Sequence, residues 1–196
     1  MGNIFDISQF KDFGRQGAGV SVIGSNSHLT VPIAKTGYKI EIAPLMNAII
    51  SQFQSAIKDS KVSVIDTSPI SQSDVLGLDK VDIHNDGNGY IDREQGKIYV
   101  DVQKIANFVM KQMLPSNVQL PNEGATLDPD FKKSIAKKIY DAVAKEIADT
   151  VIHESTHNKR TILDIMEKKP IDFNPESEAL SAGRAAGGAF VVPSRF

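Results

Sequence analysis

The chain has 196 residues, of which 41% are hydrophobic, and its formal net charge is −2. This length suffices for one ordinary hydrophobic core, and the charge gives no electrostatic basis for binding nucleic acid or an anionic membrane. The absence of cysteine excludes disulfides, thiolate nucleophiles and cysteine-ligated zinc. Because the sequence shows neither a signal peptide nor an apolar run of transmembrane length, we expect a cytoplasmic protein.

The predicted elements begin after an irregular N-terminal arm, residues 1–37, which is rich in glycine and serine. Alternating hydrophobicity predicts a strand at residues 38–42, and Pro44 then opens an amphipathic helix that carries Leu45, Ile49, Phe53 and Ile57. Strands are predicted next at residues 61–66, 81–83, 89–92 and 97–101, and a helix from Val102 to Met113 follows them.

A long amphipathic helix of about 29 residues is predicted to follow Asp128, an N-cap residue with proline next to it. The helix leads into the sequence His153-Glu154-Ser155-Thr156-His157. Histidines four residues apart project from one face of a helix, one turn apart, so that a single divalent ion can bridge them. Glu154 points elsewhere around the helix, which suits a general base better than a metal ligand.

A zinc site normally uses at least three protein ligands, so a carboxylate must join the two imidazoles. A second, shorter helix is predicted to begin after Asn174, an N-cap residue followed by proline. We prefer Glu178 as the third ligand, because it lies within this helix and the small residues beyond it allow close approach to the long helix. The alternatives that the sequence leaves open are Glu176, Asp164 and Asp172.

The His-Glu-x-x-His motif with Glu178 downstream resembles a zincin metallopeptidase of the gluzincin kind, in which a glutamate on a following helix is the third zinc ligand. The Glu-x-Glu-Ala string at residues 176–179 is also similar to the ligand helix of ImmA/IrrE-type zincins. This resemblance implies an α+β, zincin-like fold: a small mixed or antiparallel sheet with a backing helix, a long active-site helix and a short C-terminal ligand helix. We therefore assign residues 38–196 to one domain, with an upper part, 38–158, and a small lower part, 159–196.

The resemblance implies a zinc-dependent peptidase that acts on a peptide or protein substrate. In such an enzyme His153, His157 and Glu178 would hold Zn²⁺, and Glu154 would be the general base that takes a proton from water. One position departs from the thermolysin group, where an aspartate four residues after the ligand glutamate orients the first histidine, because here that position is Ala182. The sequence does not rank the candidates for an oxyanion donor, His28, Tyr90, Tyr99 and Arg184.

Residues 86–92 resemble the centre of an EF-hand calcium loop, but in the corresponding twelve-residue segment, 84–95, His84 and Gln95 occupy the first and twelfth positions. We therefore expect a turn between strands there, and no calcium site.

Residues 187–196 are glycine-rich and then apolar, so they could occupy a cleft. This gives the alternative hypothesis of a non-catalytic or autoinhibited, metal-stabilised binding or regulatory module.

Overall fold

The computed structural model describes residues 19–23, 30–33, 36–70, 88–92, 95–114, 128–166 and 176–194, with side chains of the long helix described up to Lys159. The strands are β1 (Ser21–Ile23), β2 (Thr30–Pro32), β3 (Lys39–Glu41), β4 (Val64–Asp66), β5 (Gly89–Asp92) and β6 (Lys97–Val100). The helices are α1 (Ile42–Gln52), α2 (Gln54–Asp59), α3 (Val102–Met113), α4 (Pro129–Met166) and α5 (Glu176–Ala189).

Four of these strands form a mixed sheet in the order β1-β4-β6-β5. Strand β4 pairs in parallel with β1 and β6, whereas β5 is antiparallel to β6 and lies at one edge of the sheet. Strands β2 and β3 form a separate antiparallel pair. Across the described ranges the fold is thus α+β with a small mixed sheet, and the class expected from the sequence is confirmed at this level.

The hydrophobic core lies between the main sheet and the helices. Ile91 of β5 and Ile98 of β6 are paired across the hairpin and both are buried, so this face of the sheet points toward α4. Helix α4 contacts α2, α3, α5 and both of these strands. Its buried side chains recur with helical spacing and include Ala136, Ile139, Tyr140, Val143, Ala144, Ile147, Ala148 and Val151.

The start of α4 agrees with its predicted cap. The Asp128 carboxylate accepts hydrogen bonds from the backbone N–H groups of Asp130 and Phe131, at 2.7 and 3.3 Å. These bonds satisfy donors that lack partners within the helix. The helix then runs for 38 residues, longer than expected, and continues beyond His157. The motif therefore lies within a continuous helix that is anchored in the core.

The structure departs from the sequence analysis in the segment assigned to an irregular arm. Within residues 1–37, Ser21–Ile23 forms the edge strand β1 of the main sheet and Thr30–Pro32 pairs with β3. The partner of β1 is more than forty residues away, at Val64–Asp66, so local composition did not reveal the pairing. The remainder of that segment outside residues 19–23, 30–33 and 36–37, and the strand predicted at 81–83, lie outside the described residues.

The helix predicted from Pro44 is interrupted. It begins at Ile42 and ends at Gln52, and α2 starts again after Phe53, whose backbone leaves the helical region at φ −113° and ψ 24°. The interruption places the Phe53 ring 6.2 Å from that of Phe190, a contact that the local pattern could not reveal. None of the helices in the described ranges combines the length and hydropathy needed to cross a lipid bilayer.

Candidate metal centre

The two motif histidines lie on one face of α4 with their imidazoles side by side. Their Nε2 atoms are 3.0 Å apart and the ring centroids are 4.8 Å apart, with the rings in an edge-to-face arrangement. Both side chains are largely shielded, with 16% of His153 and 12% of His157 exposed. The spacing of four residues on a helix therefore brings the two nitrogens to one point, as expected from the motif.

Glu176, the first residue of α5, brings a carboxylate to the same point. Its Oε1 lies 3.5 Å from Nε2 of His153, and its Oε2 lies 3.2 Å from Nε2 of His157. The Glu176 side chain is 41% exposed, so the group is open to solvent on the side of α5. One oxygen and two nitrogens from two helices thus converge on a common centre.

The geometry of this group fits a small divalent cation. The potential ligand atoms of His153, His157 and Glu176 all lie within 4.8 Å of one another. Two ligands at zinc–nitrogen distances are about 3.3 Å apart on a tetrahedral ion, and the three short separations of 3.0, 3.2 and 3.5 Å bracket that value. Burial and the neighbouring His157 lower the pKa of His153, although Glu176 opposes the shift. The neutral imidazole that a metal requires is thereby favoured.

Helix α5 reaches this position because small residues face α4. A Cβ atom added to Gly183 would lie 2.9 Å from the backbone oxygen of Asp149, even closer to its carboxylate and 3.1 Å from Cβ of His153. A Cβ on Gly187 would lie 2.9 Å from the backbone oxygen of Lys145. Only glycine allows the two backbones to approach this closely. The close approach predicted from the small residues of α5 is therefore present, with Gly183 and Gly187 at the contact.

The same packing decides which glutamate faces the histidines. Glu178, preferred in the sequence analysis, is exposed and does not belong to the group of converging ligand atoms, whereas Glu176 does. Ala179, Gly183 and Gly187 are buried at intervals of four residues. Glu176 precedes Ala179 by three residues and shares that face, while Glu178 points about 100° away from it. The spacing of the small residues was the signal in the sequence that could have identified Glu176.

Glu154 lies apart from the three converging side chains. It is only 8% exposed and does not belong to the group of ligand atoms within 4.8 Å. A Cβ atom on Gly89 would lie 3.6 Å from Cγ of Glu154 and 2.7 Å from Cγ2 of Thr150, so Glu154 packs beside the start of β5. Its carboxylate side chain therefore occupies the interface between the motif helix and the edge strand of the sheet.

The other residues considered from the sequence are not brought to the histidines by any described contact. Tyr90 and Tyr99 stack on each other with ring centroids 4.4 Å apart, and strand alternation directs them to the face opposite Ile91 and Ile98. Arg184 is exposed. His28, Asp172 and the side chain of Asp164 lie outside the described residues, as do residues 84–87 and 93–94 of the calcium-like segment. The described part of that segment forms β5 and the turn that follows, where Asp92 accepts a hydrogen bond from the N–H of Gln95.

Asp149 is the strongly shifted carboxyl group of the α4–α5 interface. Burial raises its pKa to about 6, and the nearby Glu146 adds to this rise while Arg184 opposes it. Because the pKa exceeds that of an aspartate in an unfolded chain, the folded protein binds more protons between about pH 4 and pH 6. The associated stability is complete below about pH 4 and is lost as the pH rises through 6.

We predict that Asp149→Asn removes this loss. In the presence of a chelator, the stability of the variant relative to the wild-type protein should be about 1 kcal/mol greater at pH 7 than at pH 4, because the half-buried carboxyl group is partly screened by solvent. Urea unfolding of both proteins across pH 4 to 7 measures this difference. Asp141→Asn, which removes a partly exposed carboxylate paired with Lys137 on the same helix, is the control for the loss of one negative charge. Equal pH slopes for Asp149→Asn and the wild-type protein would contradict the prediction.

The segment after α5 packs at the end of the helix remote from Glu176. Phe190 is 3% exposed and contacts Phe53, and the backbone of Val191 hydrogen-bonds to the side chain of Gln52. Since α5 has 14 residues, its two ends are about 21 Å apart. Residues 190–194 of the segment that could occupy a cleft are described, and Val191 among them contacts Gln52 of α1. Glu176 contacts the histidines from the opposite end of α5.

Comparison with known proteins gives no match. No protein-family model matches the sequence, and no curated protein or solved structure matches it. The function is therefore inferred from the residues of the metal centre and their surroundings.

Proposed function

We propose that the protein is a zinc-dependent peptidase, with His153, His157 and Glu176 as metal ligands and Glu154 as the general base. The observation that carries the proposal is the convergence within 4.8 Å of the Glu176 carboxylate of α5 and the two imidazoles of α4, the helix that also carries Glu154. Two nitrogen ligands and one oxygen ligand form the donor set of catalytic zinc sites that keep a position for water. A purely structural zinc site would be expected to have four protein ligands.

The chemistry that Zn²⁺ supplies when bound is a lower pKa for a water molecule and polarisation of the peptide carbonyl. The neighbouring residues have complementary tasks. Glu154 accepts the proton of the attacking water and passes it to the amine that leaves. Its 8% exposure, between α4 and β5, shields the carboxylate from bulk solvent.

A peptide is the substrate that the edge of the sheet favours. Strand β5 pairs with β6 on one side, and no other described strand pairs with it. An edge strand of a sheet can pair with an extended peptide through main-chain hydrogen bonds. The Gly89 backbone lies against Glu154 and Thr150, so a peptide paired with β5 would pass beside the general base. This juxtaposition supports hydrolysis of a peptide bond over other zinc chemistry.

We predict that Glu154→Gln abolishes hydrolysis and leaves zinc bound. The amide keeps the shape of the side chain but cannot accept a proton, so kcat should fall by about 10²- to 10⁴-fold. Zinc content by elemental analysis should stay near one ion per chain, as in the wild-type protein. Glu146→Gln is the control, because Glu146 lies two turns earlier and accepts a hydrogen bond from Asn88 that an amide oxygen can still accept. If Glu154→Gln retained full peptidase activity, the assigned base would be wrong.

A second candidate function is a metal-stabilised module without catalysis. The composition of α5 favours it, since three glycines among 14 residues make this helix dependent on external contacts, of which metal ligation would be one. In this case zinc would raise the melting temperature of the wild-type and Glu154→Gln proteins equally, and neither would hydrolyse peptides. Activity in the wild-type protein alone supports the peptidase instead.

A further inference from the structure

We propose that Gln52 is a positioning residue for the metal centre. Its two hydrogen bonds to Val191 latch the C-terminal end of α5, and the helix in turn holds Glu176 against His153 and His157. This inference deepens the proposed function and rests on it, because it concerns the third ligand of the same site. We call the contacts of Gln52 and Phe53 with Phe190 and Val191 the C-terminal latch.

The latch has the geometry of a specific contact. Nε2 of Gln52 donates a hydrogen bond to the carbonyl oxygen of Val191 at 2.8 Å, and Oε1 accepts one from the N–H of Val191 at 2.9 Å. A single side-chain amide thus satisfies both backbone groups of one residue, as a neighbouring strand would. Next to it, the buried Phe190 packs against Phe53 at a ring separation of 6.2 Å. Polar and apolar contacts together fix the chain immediately after α5.

Helix α5 needs this anchor because its own sequence stabilises it weakly. Gly183, Gly187 and Gly188 each cost about 1 kcal/mol relative to alanine in a helix. No basic residue in the last turn compensates the helix dipole. The close contacts of Gly183 and Gly187 with α4 set the separation and the rotation of α5, and the latch adds a fixed point immediately after its C-terminal end.

A displacement at one end of a short helix is transmitted to the other end. The helix spans about 21 Å, and its hydrogen-bonded backbone makes it stiff over that distance. A shift of α5 relative to α4 would therefore change the position of Glu176 relative to the two histidines and weaken metal binding. Coupling between two equilibria is reciprocal. If the latch raises zinc affinity by a given factor, bound zinc should raise the equilibrium constant for closing the latch by the same factor.

The test combines zinc affinity with amide exchange. In Gln52→Ala, zinc affinity measured by chelator competition should fall by about 5- to 20-fold, whereas Gln103→Ala should bind as the wild-type protein does. Gln103 is a matched control, because it is a helical glutamine whose side-chain amide donates a hydrogen bond to Asn107 of the same helix, α3. Zinc should also slow hydrogen exchange of the Val191 amide in the wild-type protein by the same factor. This second readout does not depend on catalysis.

The possible failures are distinguishable. If Gln52→Ala bound zinc as tightly as the wild-type protein while Glu176→Ala lost it, the positioning role would be overturned and the metal centre would stand. If the wild-type protein bound no zinc, the proposed function would fail and the positioning role with it. Should Gln52→Ala not fold, Gln52→Glu replaces it, since the carboxylate retains the acceptor for the Val191 N–H but loses the donor. An affinity between those of the wild-type and alanine variants is then expected, and an unchanged affinity overturns the proposal.

Discussion

Glu176→Ala should abolish tight zinc binding while Glu178→Ala leaves it intact. The first substitution removes one of three ligands. Residues that only support metal ligands typically change the affinity by about 10- to 100-fold, so the loss of a ligand should lower zinc affinity by more than about 100-fold. Glu178 is exposed and does not belong to the converging group, so its removal costs no metal contact. Chelator competition on the two purified variants measures the difference directly.

The pair is well matched, because both residues are glutamates in the first turn of α5. Each carboxylate also interacts favourably with the helix dipole, so each substitution should cost a similar few tenths of a kcal/mol in helix stability. Equal zinc affinity of the two variants would contradict the assignment of Glu176. The opposite order, with loss only in Glu178→Ala, would restore the ligand that was preferred from the sequence.

Gly183→Ala should push α5 away from α4 and thereby move Glu176 away from the two histidines. The added methyl group would meet the Asp149 backbone at 2.9 Å, which is too close to be relieved by side-chain rotation. We expect a net destabilisation of about 1–2 kcal/mol, because overpacking outweighs the gain in helix propensity. Zinc affinity should fall by about 10- to 100-fold as Glu176 moves away from the histidines. Urea unfolding and chelator competition measure the two effects.

Gly188→Ala is the natural control on the same helix. A Cβ atom at Gly188 meets no atom within 4 Å, so the methyl group enters open space. This substitution should stabilise the protein by about 0.5–1 kcal/mol through helix propensity alone and leave zinc affinity unchanged. If Gly183→Ala and Gly188→Ala behaved alike, close helix packing at Gly183 would not control the site.

The features that could be predicted from the sequence are those written in local patterns. Asp128 and Pro129 marked the start of α4, and the strands at 89–92 and 97–101 agree with β5 and β6 within one residue. The convergence of His153 and His157 followed from helical periodicity alone. These features depend on interactions between residues close together in the chain, so they can be recognised from the sequence alone.

The features that could not be predicted depend on distant partners. The rotation of α5 about its axis, which brings Glu176 rather than Glu178 to the histidines, is set by contact with Lys145 and Asp149 of α4. The short strand β1 acquires its role only through parallel pairing with β4. The break at Phe53 coincides with its contact to Phe190 at the other end of the chain. In each case the deciding energy comes from tertiary packing, which overrides local propensity.

Gln52 and Val191 lie 139 residues apart, so during synthesis their hydrogen bonds cannot form until Val191 has been added. Glu176 and Val191 follow every strand described and the motif helix in the chain, so a ribosome adding about 5–20 residues per second releases the histidines before their carboxylate partner. The sheet and α4 can assemble while the metal group is still incomplete. A nascent chain would then acquire its third ligand about 1–4 s after His157, when the described strands and the motif have already been synthesised.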